Sequence, residues 1–410
     1  MRKVVNSGKV YTEQDKKALM DFLEEGKEIP FGKEYREFEK RLAEYVGVKH
    51  AFFVNSGSSA NLLALAVFTS YRNKKINKGD EIITLAASFP TTVFPIVQVG
   101  CVPVFIDIDI ETLNVNVDFI EDAITPQTKA IMMANTLGNP MALDKIEEIC
   151  EKHGLVFIND CCDSLGSTYK GKTVFQYGDV ATLSMYAAHH IFTGSGGAVF
   201  TNDDHVASLI RSYRGWGRGS CVCDLGEDNK CGHRFSSQHG NMPFGYDHKN
   251  IFVDMGYNLV ATNIQAALGL SQLSRADEFT SIRIRNFEYL DNYIKNSPIL
   301  RDKFIFWEKL PGAKVSYFGF PLILEEGNRT ELAQFLEANG VQTRYLFAGN
   351  ITKQPCFSDD PDVVYRVASP LTNTDKVMND LVWVGCWHGL TIEDMEYIGQ
   401  TLEVYFADKA

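Results

Sequence analysis

Short apolar runs alternate with amphipathic stretches through the first half of the chain. Apolar, β-rich runs occupy residues 81–86, 102–106, 130–134, 155–159, 181–186 and 198–201. Between them, residues 60–71, 143–153 and 204–213 carry apolar side chains three and four positions apart, which is the spacing of one helix face. Strands that alternate with helices in this way are typical of a mostly parallel sheet covered on both faces. The pattern therefore predicts an α/β fold.

The second half of the chain has a different pattern. Residues 214–250 form a stretch rich in Gly, Asp and Cys with little periodicity, and such long irregular segments are often functional. A helical pattern over residues 262–294 is followed by shorter strand and helix patterns and a terminal helix from Ile392. We expect a large cofactor-binding α/β domain over residues 1–275, with the Cys-rich insertion at 214–250, and a small C-terminal α+β domain over residues 276–410.

Composition and charge exclude several classes of protein. The 410 residues have a net charge of −12, and a nucleic-acid-binding surface would need a field of Lys and Arg instead. The apolar runs are too short to span a bilayer, and the first residues are polar. We therefore expect a cytoplasmic protein with neither nucleic acid nor membrane as its partner.

Two sites beside the predicted strands are suited to an anionic cofactor, namely the run that contains Gly57 and Ser58 and the single residue Asp160. Gly57 and Ser58 lie in the run Asn-Ser-Gly-Ser-Ser ahead of an apolar helix, where backbone N–H groups can bind a phosphate. Asp160 ends a predicted strand, at the sheet edge where open α/β folds bind ligands. A carboxylate there could keep the pyridine nitrogen of a pyridoxal derivative protonated. Both positions also fit ordinary helix N-caps, so each signal alone leaves the choice open.

The segment Ser-Met-Tyr-Ala-Ala-His-His-Ile-Phe-Thr-Gly-Ser-Gly-Gly, from residue 184 to residue 197, carries a family resemblance. It resembles the cofactor-binding segment of the DegT/DnrJ/StrS sugar aminotransferases. In that family a serine binds the cofactor phosphate and a lysine five positions later bonds covalently to the cofactor. Those positions are Ser184 and His189 in this chain. The resemblance extends from Phe38 to Phe406 and implies the type I fold of aminotransferases that depend on pyridoxal phosphate (PLP).

A histidine in place of the lysine changes the expected chemistry. An imidazole cannot form an imine with PLP, so we expect the amine form, pyridoxamine 5′-phosphate (PMP), held without a covalent bond. A neutral imidazole, with an ordinary pKa of about 6.5, is a competent general base at neutral pH. We therefore expect His189 to be the catalytic base. Tyr186 is a candidate to assist it, although a packed strand tyrosine fits the same pattern.

Further positions match the family once this frame is adopted. The resemblance implies that Gly57 and Ser58 bind the phosphate, that Phe89 stacks on the cofactor ring and that Asp160 pairs with its nitrogen. Asn258 matches an asparagine that reaches the phosphate in the neighbouring subunit, which implies a homodimer with shared active sites.

The cysteines suggest a metal site. Cys221, Cys223 and Cys231 come from one irregular segment, and Cys162 lies two positions after Asp160. Four thiols suit tetrahedral zinc or a [2Fe–2S] cluster, and their spacing does not decide between them. Resemblance to the iron–sulfur branch of the family implies [2Fe–2S]. It also implies an NADH-dependent flavin/iron–sulfur reductase as the external electron donor.

This resemblance implies PMP- and [2Fe–2S]-dependent removal of the C3 hydroxyl from a nucleotide-linked 4-keto-6-deoxyhexose. The CDP-linked sugar is the expected substrate, in the biosynthesis of 3,6-dideoxyhexoses and O-antigen. The main alternative is a PMP-dependent 3-dehydratase without a cluster, acting on a GDP- or TDP-linked sugar. A non-catalytic aminotransferase fold with structural zinc is a second alternative. Candidates for the diphosphate are Arg214, Arg218, Lys249 and Arg344. Two features depart from the family: the gap from Cys162 to Cys221 is one residue longer than expected, and Ser195 stands where relatives more often have glutamate.

Overall fold

The computed structural model describes residues 2–8, 12–219 and 230–407. Within them no helix is both long enough and apolar enough to cross a bilayer. The strands are β1 (His50–Val54), β2 (Glu81–Leu85), β3 (Val102–Ile106), β4 (Thr128–Ala134), β5 (Val156–Asp160), β6 (Thr168–Tyr169), β7 (Lys172–Thr173), β8 (Val180–Ser184), β9 (Gly197–Thr201), β10 (Phe304–Ile305), β11 (Ala313–Lys314), β12 (Gly319–Leu324), β13 (Thr343–Arg344), β14 (Arg366–Val367) and β15 (Leu381–Gly385).

Thirteen helices accompany these strands in the described parts of the chain. They are α1 (Glu13–Glu24), α2 (Lys33–Val46), α3 (Gly57–Ala66), α4 (Pro90–Gln98), α5 (Asp118–Ala123), α6 (Leu143–His153), α7 (Asp204–Arg214), α8 (Asn263–Leu273), α9 (Ala276–Asn296), α10 (Arg329–Ala338), α11 (Pro355–Ser358), α12 (Thr372–Asp380) and α13 (Ile392–Ala407).

The large sheet has eight strands in the order β1-β9-β8-β5-β4-β2-β3-β14. Its pairs are parallel from β14 through to β8, whereas β9 pairs antiparallel with both β8 and β1. Strands β5 and β8 are buried along their whole length, as expected for parallel strands covered on both faces. The predicted mostly parallel α/β fold is confirmed.

The smaller sheet is antiparallel, in the order β10-β12-β15-β13. Strand β14 also lies beyond residue 276 but pairs with β3, so this part of the chain contributes to the large sheet as well. The division at residues 275 and 276 therefore remains a prediction.

Most predicted elements are present with ends shifted by a few residues. The helix predicted over 143–153 has those bounds in α6, and Asp203 is the N-cap of α7, with its carboxylate accepting from Val206 N–H at 2.9 Å. The single helix predicted over 262–294 is instead two helices, α8 and α9. The edge strand β1 was not predicted, because its five residues precede the polar run at 55–59 without a break in the sequence pattern.

A buried carboxylate after β3 bonds to a helix that packs on the four-stranded sheet. Asp107, which follows β3, accepts hydrogen bonds from the backbone N–H groups of Asn373 and Thr374 at 2.8 and 2.7 Å and from the Thr374 hydroxyl at 2.7 Å. These N–H groups belong to the first turn of α12, which leaves them without partners inside the helix. Asp107 thus caps a helix that is distant in sequence.

Replacing Asp107 with alanine should lower the free energy of unfolding. The change leaves buried helix N–H groups without an acceptor, and each such loss costs about 1–3 kcal/mol. Urea unfolding, followed by far-UV circular dichroism, measures the effect. Asp302→Ala is the matched control, since that side chain is 82% exposed and should change stability little. Equal free energies of unfolding for the two variants would show that the Asp107 cap does not stabilise the fold.

Candidate active site

A cavity of about 390 Å³ lies at the carboxyl edge of the large sheet, where strands β5 and β8 end. This is the edge at which open α/β folds bind ligands. Its wall collects side chains from the large sheet, the loop after β8, the small sheet and the segment before α1. They are Asn6, Ser7, Gly57, Ser58, Asn61, Phe89, Thr91, Thr92, Ala134, Asp160, Cys162, Asp163, Ser184, Tyr186, Ala188, His189, Phe318, Arg344, Tyr345, Phe347 and Trp383.

One end of the cavity is suited to a phosphate. Gly57 begins helix α3, whose first backbone N–H groups have no partners inside the helix. A Cβ added at Gly57 would lie 2.5 Å from the Cβ of Ser184, so only glycine allows this close approach. Gly57, Ser58 and Ser184 therefore bring backbone donors and hydroxyls together at one helix N-terminus.

Asp160 stands at the end of β5 and is 4% exposed. Its Oδ2 accepts from Asn61 Nδ2 at 2.7 Å and from the Thr92 hydroxyl at 2.8 Å, while Oδ1 accepts from Cys162 N–H at 3.0 Å. Donors from α3, α4 and the turn after β5 thus fix the carboxylate against the cavity. Asn61 and Thr92 were not predicted, although small polar side chains in apolar helices were the available signal.

His189 lies in the cavity wall, with its Nδ1 3.5 Å from Asp163 Oδ1. Burial and the nearby Arg283 charge lower the pKa of His189 to about 4. Burial and the charge of Asp160 raise the pKa of Asp163 to about 8. Near pH 7 the imidazole is therefore neutral and the Asp163 carboxyl is protonated, so the contact is not an ion pair. Asp163 was also missed, because one more acidic residue after Asp160 carries no pattern of its own.

The loop that carries His189 is held from behind by Arg283, a fully buried residue of α9. Its guanidinium donates to the carbonyls of Tyr317 at 3.0 Å, Phe318 at 3.3 Å and His189 at 3.3 Å. The Phe318 ring in turn packs on the imidazole, with ring centroids 5.0 Å apart. The imidazole thus has a fixed backbone and a fixed apolar neighbour.

The other predicted residues fall into two groups. Phe89 and Tyr186 line the cavity and are 49% and 59% exposed. Asn258 is exposed outside the cavity, where it forms a backbone bridge with Gly215.

The arginines proposed for a diphosphate also differ in position. Arg214 is buried, and its guanidinium donates to Glu39 and to the carbonyl of Phe53 at 3.0 Å, so it is not available to a ligand. Arg344 lines the cavity and donates to the carbonyl of Thr343 at 2.7 Å. Arg218 and Lys249 do not line the cavity.

Only part of the predicted metal site lies within the described residues. Cys162 lines the cavity, and burial raises the pKa of its thiol well above the ordinary value. Cys231 is half-buried, with its Sγ 3.7 Å from His248 Nε2. Cys221 and Cys223 lie outside the described residues. Within residues 2–8, 12–219 and 230–407, no three His, Cys, Asp or Glu side chains are grouped to hold a metal ion.

Comparison with known proteins identifies the class to which this fold and cavity belong. The model of the DegT/DnrJ/EryC1/StrS aminotransferase family matches residues 10–403, and the chain belongs to that family. Among its curated relatives is the lipopolysaccharide biosynthesis protein RfbH of Salmonella typhimurium, which is 47% identical over 90% of this chain and 84% of that protein.

Two further relatives are named as dehydratases. The dTDP-4-dehydro-2,6-dideoxy-D-glucose 3-dehydratase of Saccharopolyspora spinosa is 43% identical over 98% of this chain and 86% of its own length. A solved structure of the Escherichia coli GDP-4-keto-6-deoxy-D-mannose-3-dehydratase with bound hydrated PLP superposes with a TM-score of 0.86. It is 28% identical and covers 98% of this chain and 100% of that one.

Gly57→Ala should weaken the binding of PMP. The new Cβ would overlap the Ser184 Cβ at 2.5 Å and push the serine away from the helix N-terminus. Overpacking of this kind costs about 1–3 kcal/mol, so we expect a loss of roughly tenfold or more in affinity. Titration followed by the cofactor's absorbance measures it, and far-UV circular dichroism checks the fold. Unchanged affinity for PMP would show that Gly57 is not part of the phosphate site.

Proposed function

We propose that this protein is a PMP-dependent 3-dehydratase that removes the C3 hydroxyl from a nucleotide-linked 4-keto-6-deoxyhexose. The observation that carries the proposal is the neutral, partly buried His189 in the cavity wall, at the family position of the cofactor-binding lysine. No lysine lines this cavity in the part of the chain that the structure describes. The names of the 3-dehydratase relatives support the same reaction.

The cavity fits the cofactor by its donor set. The N-terminus of α3, with Gly57, Ser58 and Ser184, offers the phosphate backbone and hydroxyl donors. Asp160 would pair with the protonated ring nitrogen at the end of β5, and Phe89 would pack on the ring. Bound PMP supplies an amine for the C4 ketone and a conjugated ring that takes up electrons as the C3–O bond breaks.

The chain's own contribution is proton movement within this cavity. His189 would take a proton from the C4′ carbon of the cofactor, since its imidazole is neutral near pH 7. Asp163 lies 3.5 Å from Nδ1 as the nearest carboxyl group, and Arg283 would hold the loop in place. Tyr186 lines the same cavity and is the second candidate for proton transfer.

His189→Asn should abolish most of the release of the C3 hydroxyl. Asparagine keeps the polarity and approximate size of the side chain but cannot accept the proton, and general bases contribute roughly 10²–10⁴-fold. Release from the keto sugar is measured with PMP-loaded protein, and PMP affinity is measured separately by absorbance. His153→Asn is the control, because that histidine is on the surface of α6 beside Glu121. Full activity of His189→Asn would remove His189 from the role of base.

A [2Fe–2S] cluster would make the reaction a reductive deoxygenation. The four thiols of Cys162, Cys221, Cys223 and Cys231 support this version, and an external NADH-dependent flavin/iron–sulfur reductase would then supply two electrons singly. The placement of Cys162 beside Asp160 would bring the cluster close to the cofactor. The TDP- and GDP-linked substrates in the relatives' names better support the second version, a dehydratase without a cluster.

Absorbance of the anaerobically purified protein distinguishes the two versions. The cluster version predicts visible iron–sulfur bands and bound iron, both lost in Cys162→Ser because a cluster iron would lose a thiolate ligand. Cys356→Ser is the control, since that thiol is exposed and outside the set. Protein that is coloured only by its cofactor, with no iron or sulfide, would establish the version without a cluster.

The proposal also covers the nucleotide that carries the sugar and the oligomeric state of the protein. The family resemblance supports CDP, whereas the relatives' names support TDP or GDP.

A homodimer with shared active sites is supported by the exposed position of Asn258 and by large apolar side chains nearby in the chain, among them Phe252 at 56% and Met255 at 96% exposure. Such clustered exposed apolar residues mark interaction surfaces.

A further inference from the structure

The segment of residues 2–8 runs along the small sheet and reaches the cavity. Val4 exchanges two backbone hydrogen bonds with the turn at 340–342, at 2.8 and 2.9 Å. The indole Nε1 of Trp387 donates to the carbonyl of Val5 at 3.0 Å. These contacts fix the backbone of the segment just before it enters the cavity wall.

Asn6 is the point of closest contact between this segment and strand β15. A Cβ added at Gly385, the last residue of β15, would lie 2.7 Å from both the Cα and the carbonyl oxygen of Asn6. The two backbones therefore touch directly, and any larger residue at 385 would displace the segment. Asn6 is held in this position with 2% of its surface exposed.

The side chain of Asn6 is incompletely hydrogen-bonded. Its Oδ1 accepts from the Ser7 hydroxyl at a long 3.5 Å, and its Nδ2 has no partner among the described residues. Asn6 is fixed and 2% exposed, yet its amide nitrogen is not among the fully buried atoms, so it opens onto the cavity. Asn6 and Ser7 both line the cavity, and a ligand there can supply that partner.

The chemistry of these two side chains indicates which part of a ligand they would contact. The phosphate and ring-nitrogen groups of the cavity lie on the large-sheet side, at the start of α3 and the end of β5. An amide and a hydroxyl are neutral and both donate and accept, which matches sugar hydroxyls. A diphosphate would instead be met by a cation, and Arg344 lines the same cavity.

We propose that Asn6 and Ser7 bind hydroxyl groups of the substrate's hexose, so that segment 2–8 helps determine which sugar is accepted. The inference rests on the proposed function, because it takes a nucleotide-linked hexose as the ligand. Because the segment is already fixed in place, little ordering is needed when the sugar binds.

The test compares binding of a nucleotide with and without its sugar. Isothermal titration of PMP-loaded protein measures the affinities for CDP-glucose, TDP-glucose and GDP-glucose and for the three free nucleoside diphosphates. In Asn6→Leu, which keeps the size but removes the hydrogen bonds, the affinity for the preferred nucleotide-linked hexose should fall roughly tenfold. Affinities for the free nucleoside diphosphate and for PMP should not change. Ser7→Ala should give a smaller loss of the same kind and also serves if Asn6→Leu does not fold.

Lys3→Gln is the matched control, since this exposed residue belongs to the same segment but does not line the cavity, and it should bind all ligands normally. Equal weakening of the sugar-linked and free nucleotides in Asn6→Leu, or no weakening at all, would overturn the inference while leaving the proposed function standing. Failure of the unmodified protein to bind any of the three nucleotide-linked hexoses would overturn both.

Discussion

The candidate site depends on the fixation of one carboxylate at the end of a buried strand. Asp160 is almost completely removed from water, and a charge in such a place is tolerated only when donors surround it. Asn61 from α3 and Thr92 from α4 supply two of them, so the carboxylate links both helices to β5. The same helix α3 begins at Gly57, so one element positions both Gly57 and the donor to Asp160 at the cavity.

The neighbouring His189 and Asp163 lie where burial disfavours a charge on either side chain. Burial alone favours the uncharged forms of both His189 and Asp163, and the fixed positive charge of Arg283 further disfavours a protonated imidazole. A lysine at position 189 would not be stabilised by such a pocket before it bonded to the cofactor. An imidazole at the same position is kept neutral, which is the form that accepts a proton. The histidine at position 189 and the side chains that keep it neutral are thus mutually consistent.

The sequence predicted the fold class and most of the elements, because parallel strands that are buried on both faces appear in the sequence as continuous apolar runs. It could not separate α8 from α9, since Ser274 and Arg275 interrupt the helix without interrupting its apolar spacing. Several predicted site residues, among them Ser58, Phe89 and Ser184, lie on one cavity, yet Asn6 and Asp163 were not predicted. Asn6 is placed by its contact with Gly385, and Asp163 lies beside His189, and no local pattern in the sequence encodes either contact.

The guanidinium of Arg283 also has a mechanical consequence. It is bonded at once to the carbonyl of His189 and to the carbonyls of Tyr317 and Phe318, immediately before β12. A tilt of the small sheet would therefore carry His189 and its aromatic neighbour Phe318 along together, preserving their spacing while the distance to Asp160 changes.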